Sequence, residues 1–298
     1  VADALPLICN PAAGGGRGKA RLDEANSLLS QQGIEVAVTA TTGPGHATTL
    51  ARDLAAAGHK TVLVLGGDGT LSEAANGILG LPQARRPTLG FLPAGTGNDF
   101  LRDFGIFDLA AACKAVAAGR TVAADAALAS WPGGSRYCLN VCGTGLMAKA
   151  ADRCNRQFKW LGRKGYDAAA MVELARMKHT PTRVVLDGQE TRGDFPLVAV
   201  CNSVNTGGGM KMAPAASPKD GMLDVLVVEG AGALELMMLL ATKLRKGEHV
   251  LNPKVRVERA AHVRIEPATP GPLMLDGEVM GTTPVEFQVL PGALRLLA

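Results

Sequence analysis

Aromatic residues make up only 4% of the 298 positions, so the core must rest on Leu, Val, Ile, Ala and Met. No apolar run reaches the ~18 residues that a spanning helix requires. The nearest candidate, Gly232–Lys243, is short, contains Glu235 and reads as a core helix. Val1–Pro6 lacks a basic stretch followed by an apolar one, so no secretory signal is expected. The net charge of +4 is too small to announce nucleic-acid binding, and none is expected. There is no CxxC pair and no cluster of Cys with His suited to zinc. Cys9, Cys113, Cys138, Cys142, Cys154 and Cys201 therefore read as structural thiols in a reducing compartment, the cytoplasm. The five histidines have no evident partner and read as surface or core residues. Internal repeats and low-complexity linkers are missing too.

Two nucleotide fingerprints are absent. Gly14–Lys19 is not a P-loop, because Ala20 follows Lys19 where Ser or Thr should stand. GxGxxG does not occur in its proper register. The common nucleotide folds are disfavoured on these grounds, although a nucleotide is not.

Hydrophobic residues at 47% and charged residues at 19% predict a packed protein of one large or two medium domains. In the first third, strand patterns (Leu5–Asn10, Ile34–Thr39, Thr61–Leu65, Thr88–Leu92) alternate with helical ones (Ala20–Gln32, His46–Ala57, Leu71–Leu79, Leu109–Ala118). Thr70 and Glu73 have the spacing of a capping box for the third helix. Such alternation predicts right-handed crossovers and a parallel sheet. Near residue 121 the pattern changes to short strands: Thr121–Ser130, Arg136–Cys142, Arg183–Leu186, Leu197–Asn202, Leu223–Val228, Val255–Arg259, His262–Pro267 and Glu286–Leu290. Gly133-Gly134, Asp187-Gly188 and Asp276-Gly277 mark turns, and one or two helices interrupt around Ala148–Lys178 and Ala233–Lys246. The expectation is an α/β first domain followed by a mainly antiparallel one.

Three glycine-rich turns, Asn10–Gly18, Gly66–Thr70 and Gly95–Asn98, each follow a strand of the first domain. Ligands of parallel sheets bind outside the carboxyl ends of strands, and glycine lets backbone N–H groups approach phosphate oxygens. Three such turns on one sheet edge predict a phosphate site. Asp68, between Gly67 and Gly69, is placed to bind Mg²⁺ through water, to accept from a ribose or substrate hydroxyl, or to stabilise the turn. Asn98 and Asp99 repeat the pattern after the third of these strands.

At these residues the chain resembles the diacylglycerol kinase catalytic family, which includes bacterial soluble lipid kinases and sphingosine kinases. The resemblance is carried by Asn10-Pro11 and its glycines, by Gly66-Gly67-Asp68-Gly69-Thr70 with Glu73 and Asn76-Gly77, and by Gly95-Thr96-Gly97-Asn98-Asp99-Phe100. It continues through Asp220-Gly221-Met222-Leu223-Asp224 and Asp276-Gly277-Glu278, so it spans most of the chain in order. One departure is that Ala12 and Ala13 stand where many members carry Ser.

The resemblance implies an ATP- and Mg²⁺-dependent lipid kinase of two domains. A three-layer α/β nucleotide-binding domain would cover residues 1–124, joined by a returning tail at 285–298. A β-sandwich lipid-substrate domain would cover 125–284, with the active site in the cleft between the two. It assigns the nucleotide to Asn10, Gly66, Gly67, Gly69, Thr70, Glu73, Gly95, Thr96 and Asn98, and Asp99 to the substrate side. Asp68 would help organise the metal, and Asp276 or Glu278 would act as base. A structural or regulatory Mg²⁺ would take Asp220, Asp224 and a main-chain carbonyl at Met222. Asp276-Gly277 is equally the signature of a tight hairpin, and both readings hold together. A NAD kinase shares GGDGT but needs a run of asparagines with an acid, which is missing; a non-catalytic nucleotide-binding regulator has no need of Asp68, Asp276 and Glu278.

The expected partners are a lipid substrate and an anionic membrane surface met transiently, with a homodimer left open. Residues 149–179 hold eight basic side chains (Lys149, Arg153, Arg156, Lys159, Arg163, Lys164, Arg176, Lys178) against Asp152, Asp167 and Glu173, a local balance of +5, with Trp160 and Tyr166 among them. That composition suits a peripheral membrane anchor and equally a solvated helix face.

Overall fold

The computed structural model describes residues 4–95, 97–158, 160, 163–177 and 180–298. They form two compact units: the chain up to Ala126 together with Pro291–Ala298, and Ala127–Leu290.

The first unit is built on a parallel sheet in the order β2-β1-β3-β4, with β1 at Leu5–Cys9, β2 at Val36–Ala40, β3 at Thr61–Gly66 and β4 at Thr88–Pro93. β3 and β4 are almost wholly buried, as central parallel strands must be when helices cover both faces, while β2 is an exposed edge. The covering helices are Gly18–Ser30, His46–Ala56, Asp68–Leu79 and Leu109–Ala118. Ala47, Ala51 and Ala55 recur at the helical i, i+4 spacing and are all buried. These small side chains let the helix Asp68–Leu79 come close, so close that a Cβ on Gly77 would lie 2.2 Å from the Thr48 carbonyl oxygen. The last helix starts where Asp108 Oδ1 accepts from the Ala111 amide at 2.8 Å and stops at Gly119, whose φ of 65° a larger residue adopts reluctantly.

The capping box read at Thr70 and Glu73 does not form. The helix begins three residues earlier, at Asp68 rather than Leu71, and both side chains reach to other elements. Thr70 Oγ1 accepts from Asn10 Nδ2 at 2.9 Å. Glu73 accepts from the amides of Gly45 and Ala47 at 2.9 and 3.2 Å, which caps the neighbouring helix His46–Ala56 instead.

The second unit takes up β5 (Thr121–Trp131) from Ala127 onward. It continues with β6 (Gly134–Cys138), β7 (Val141–Gly145), β8 (Pro181–Leu186), β9 (Gln189–Asp194) and β10 (Leu197–Cys201). A small ladder of β11 (Asn205–Thr206) and β12 (Met210–Lys211) follows. The last strands are β13 (Leu223–Val228), β14 (Val255–Ala260), β15 (His262–Pro267), β16 (Pro272–Leu275), β17 (Glu278–Thr282) and β18 (Val285–Leu297). A six-stranded antiparallel sheet runs β14-β13-β10-β7-β16-β17. One face packs through Val198, Val200, Val225, Val227 and Leu275 onto Val184, Val263, Ile265 and Phe287 of a second antiparallel layer. The other face packs through Leu197, Ala199, Leu226 and Val228 onto helices that include Leu146–Arg153 and Ala233–Lys243. Burial on both faces explains why β10 reads as an unbroken apolar run and why β13 is apolar except at Asp224. The chain is thus α/β, with an antiparallel β-sandwich second unit.

Boundaries shift where tertiary contacts decide them. The run Arg136–Cys142 divides into β6 and β7, because Leu139 and Asn140 turn their amides to a side chain. The turn expected at Gly133-Gly134 is Pro132-Gly133, and Gly134 opens β6. The expected Glu286–Leu290 strand extends to Leu297. Its end enters the first unit beside β4, pairing Leu296 with Leu89 in parallel. The helical stretch expected around 148–178 is Leu146–Arg153, a π-helical turn at Cys154–Phe158 and Arg163–Ala175, with Lys178 outside the described residues. Among the described residues no helix is long and apolar enough to cross a membrane.

The returning tail is fastened by polar contacts. The Gly292 amide donates to Asp125 Oδ1 at 2.7 Å. The Arg86 guanidinium donates to the Leu79 and Leu81 carbonyls at the end of one helix, both at 2.9 Å, and to Ala293 of the tail at 3.0 Å. Only a planar fork with several donors serves three carbonyls at once. Arg86→Lys is expected to destabilise the protein by about 2 kcal/mol, read as a lower denaturant midpoint.

Candidate active site

The first turn, the β3 turn and the β4 turn meet at the carboxyl edge of the parallel sheet. A Cβ on Gly14 would lie 2.5 Å from the Ala94 carbonyl oxygen, and one on Gly95 would lie 2.6 Å from the Cα of Gly67. No residue with a side chain fits at Gly95. The Ala94 and Gly95 amides both donate to the Gly66 carbonyl, at 2.7 and 3.1 Å. Asn10 links the first turn to the second through Thr70, and its Oδ1 accepts from the Ala12 amide at 3.0 Å. Asn98, in the left-handed region at φ 51°, ties its own turn by exchanging bonds with the Gly95 amide and carbonyl, both at 3.2 Å.

Two carboxylates occupy this corner. A Cβ on Gly97 would stand 2.9 Å from Asp68 Oδ2 and 3.2 Å from Asp99 Oδ2, so the bare glycine is what leaves room for both. Burial, and secondarily the negative charge of Asp99, push the Asp68 carboxyl up to about 6; backbone amides of Phe100, Asp99 and Asn98 oppose the rise. Asp99 is itself buried, with Arg102 Nε 3.8 Å away. Two acids held in so little space suit a divalent cation, which removes both the desolvation and the repulsion. The structure therefore brings together Asn10, Gly66, Gly67, Asp68, Gly69, Thr70, Gly95, Asn98 and Asp99. Thr96 lies outside the described residues. Glu73 stands one turn further along the helix, where it holds the turn that starts the helix His46–Ala56.

The remaining acids belong to the second unit. Asp276 and Gly277, at φ 49° and 86°, form the expected tight hairpin between β16 and β17. The Asp276 carboxylate accepts from the Leu139 and Asn140 amides at 2.9 and 2.8 Å. Glu278 is exposed, with Arg136 3.3 Å away. Three polar residues near this hairpin were not singled out from sequence. Asn202 donates to the Leu139 carbonyl at 2.8 Å and Ser203 to Asn140 Oδ1 at 3.1 Å, all of them buried. Their signal was a polar pair directly after the wholly apolar β10.

Cys138, Cys142 and Asp276 also come together, their candidate ligand atoms within 4.8 Å of one another. The Cys138 thiol is pushed well up, first by its hydrogen bond with Cys142 and then by burial, so it remains a neutral packed thiol.

Asp224 lies on β13 opposite Cys201 of β10, which in turn faces Val141 of β7. Three ladder steps of ~4.8 Å put it roughly 14 Å from the Asp276 hairpin, at the same end of the sheet. Its Oδ2 is buried without a hydrogen-bond partner among the described residues, and burial pushes its carboxyl up. Asp220 pairs with Arg259, and its Oδ1 accepts from the Met222 amide at 3.1 Å. An orphaned buried carboxylate oxygen beside a second acid fits a cation.

Asp68→Asn is expected to raise the thermal midpoint in metal-free buffer. The native carboxyl titrates near 6 and the ordinary one near 3.8, so the stability of the neutral form is present below the lower value and lost as pH rises through the upper. Scanning fluorimetry should show a gap between variant and wild type that is widest above about pH 7 and closes near about pH 4.

Comparison with known proteins agrees with this architecture. Residues 4–129 match the diacylglycerol kinase catalytic domain, and residues 140–298 match the YegS C-terminal NAD kinase beta sandwich-like domain. A diacylglycerol kinase of Bacillus subtilis (strain 168) is 31% identical over 284 residues, 94% of this chain and 91% of that protein. One from Mycobacterium tuberculosis (strain H37Rv) is 33% identical over 299 residues, 98% and 94% of the two chains. A solved structure from Bacillus anthracis str. Sterne superposes with a TM-score of 0.82 at 27% identity, covering 99% of this chain and 95% of that one. A second from that organism, a diacylglycerol kinase, gives 0.75 at 25% identity over 99% and 96%. With matches running the length of both units, the chain belongs to the diacylglycerol kinase family and is a lipid kinase.

Proposed function

We propose that the chain transfers the γ-phosphoryl group of ATP, with Mg²⁺, to the hydroxyl of a glycerolipid such as diacylglycerol, taken from a membrane that the protein meets peripherally. The observation that carries this reading is the backbone contact of Gly67 with Gly95 beside the crowded pair Asp68 and Asp99. Phosphoryl transfer asks chiefly for positioning and charge neutralisation. The glycine turns at Asn10–Gly18, Gly66–Thr70 and Gly95–Asp99, with Thr96 among them, hold the triphosphate with main-chain amides. Asp68 and Asp99 are the residues that would hold Mg²⁺, which supplies positive charge against the phosphate oxygens. Glu73 acts one step back, fixing the Gly43–His46 turn at the same sheet edge.

The acceptor oxygen forms its bond to the γ-phosphorus as the bond to the β-γ bridging oxygen breaks, and ADP leaves. A carboxylate takes the hydroxyl proton. We assign that role to Glu278, whose carboxylate is exposed and whose one ion-pair partner among the described residues is Arg136. Asp276, held by two backbone amides, positions the hairpin that presents Glu278. A second cation bound by Asp220 and Asp224, with the Met222 carbonyl, would fasten the start of β13. The diacylglycerol kinases named above support the choice of acceptor.

The decisive assay is incubation with labelled ATP, Mg²⁺ and a panel of diacylglycerol, monoacylglycerol, phosphatidylglycerol, sphingoid bases and NAD. Label in diacylglycerol is expected; label in NAD, or in none of the acceptors, defeats the proposal. Glu278→Gln should cut kcat by about a hundredfold or more while leaving the KM for ATP nearly unchanged. Asp276→Asn should lower both turnover and thermal midpoint, because it removes a charged acceptor from two amides. Millimolar Mg²⁺ should raise the midpoint of the wild type, and Asp224→Asn should abolish a measurable part of that rise.

A further inference from the structure

The helix Ala233–Lys243 has the sequence ALELMMLLATK, apolar on nearly every side. Leu236 and Leu239 are buried against the six-stranded sheet. Leu234 and Met238, one turn apart on another face, are 69% and 54% exposed. A helix apolar all round is ordinarily covered on every side. This one packs against Arg163–Ala175, which exposes Met171, and against the 3₁₀ turn Glu248–Leu251, whose Leu251 is 78% exposed. Trp160, in the connection leading into Arg163–Ala175, is 80% exposed. Five of the eight large apolar side chains exposed among the described residues therefore lie in this one helical layer. Scattered exposed apolar residues are ordinary, but a concentration of this kind marks an interaction surface.

The same layer carries the charge of a particular partner. Lys243, Arg245 and Lys246 are exposed, and none is paired with an acid among the described residues. Arg176 is exposed as well, whereas the acid Glu235 is already matched by Lys254. Exposed Glu248 and Asp167 leave the layer net positive. Arg153 and Arg156 contribute less than their number suggests, being paired with Glu173 and Asp152.

We propose that this layer, centred on Leu234, Met238 and Leu251 and ringed by Lys243, Arg245 and Lys246, docks on the surface of an anionic lipid bilayer. The proposal rests on the reading that the acceptor is a bilayer lipid and names the surface that reaches it. Apolar side chains enter the acyl boundary while cations meet the headgroups. A second copy of the chain suits the surface less well, since a two-fold contact would set these cations against their own equivalents.

The test is sedimentation of the full chain with phosphatidylcholine vesicles containing about 30% phosphatidylglycerol. The wild type is expected to pellet with them and to be released by about 0.5 M NaCl. Leu234→Asp with Met238→Asp, and separately Leu251→Asp, should weaken binding about tenfold. Charge reversal at Lys243, Arg245 and Lys246 should remove the dependence on phosphatidylglycerol. Turnover of a dispersed short-chain diacylglycerol serves as control and should be unchanged in all these variants. Binding by the variants equal to wild type, or no wild-type binding to the vesicles, overturns the proposal. So does a wild-type dimer in light scattering that the Leu234 and Met238 substitutions dissociate. Should the double substitution unfold the protein, Leu251→Asp and the charge reversals decide the matter. Vesicle binding that depends on Leu234 and Met238, without any lipid phosphorylation, would support this surface and refute the kinase reading alone.

Discussion

Two strands of the parallel sheet end in turns whose main chains touch, Gly67 against Gly95, and the polar corner of the first unit depends on that approach. A Cβ at Gly95 would meet backbone that cannot swing aside, so the turns would have to part. Parting them would also separate Asp68 from the Asn98–Phe100 amides that partly offset its burial. The closeness of the two turns thus also crowds two acids together. Local instability is accepted there for the sake of a site that prefers to be filled.

The second unit is governed by a different constraint. Its six-stranded sheet is buried on both faces, so polar chemistry is pushed to the strand ends. There the Asp276 carboxylate takes up the amides that Leu139 and Asn140 cannot give to a strand partner. Asn202 and Ser203 extend the same solution one strand further. A hairpin anchored this way presents Glu278 from a rigid support while leaving its carboxylate in solvent. Asp224, at the end of another buried strand, keeps an oxygen that no described group satisfies.

Helical cover on the far face of that sheet has an inner and an outer surface with different tasks. The inner one supplies Leu236, Leu239 and Leu244 to the core. The outer one exposes Leu234, Met238 and Leu251 together with Lys243, Arg245 and Lys246, cations that pair with no acid among the described residues.

Much of the protein was legible in the residues alone. Alternating helix and strand periods imposed a parallel sheet, short apolar runs announced the strands that became β10 and β13, and the glycine turns marked the edge of the parallel sheet. Asp276-Gly277 and Asp187-Gly188 dictated hairpins, because both positions of each pair take a left-handed backbone. Each of these follows from local sterics or from the spacing of apolar side chains. What only the tertiary structure decided were partnerships between residues distant in the chain. Thr70 and Glu73 looked like the two halves of one cap, yet they bond to Asn10 and to the Gly45 and Ala47 amides. Asp276, read as part of a local hairpin turn, is bound to amides 136 and 137 residues away. A side chain's nearest suitable partner is set by which elements pack together, and local sequence does not carry that information.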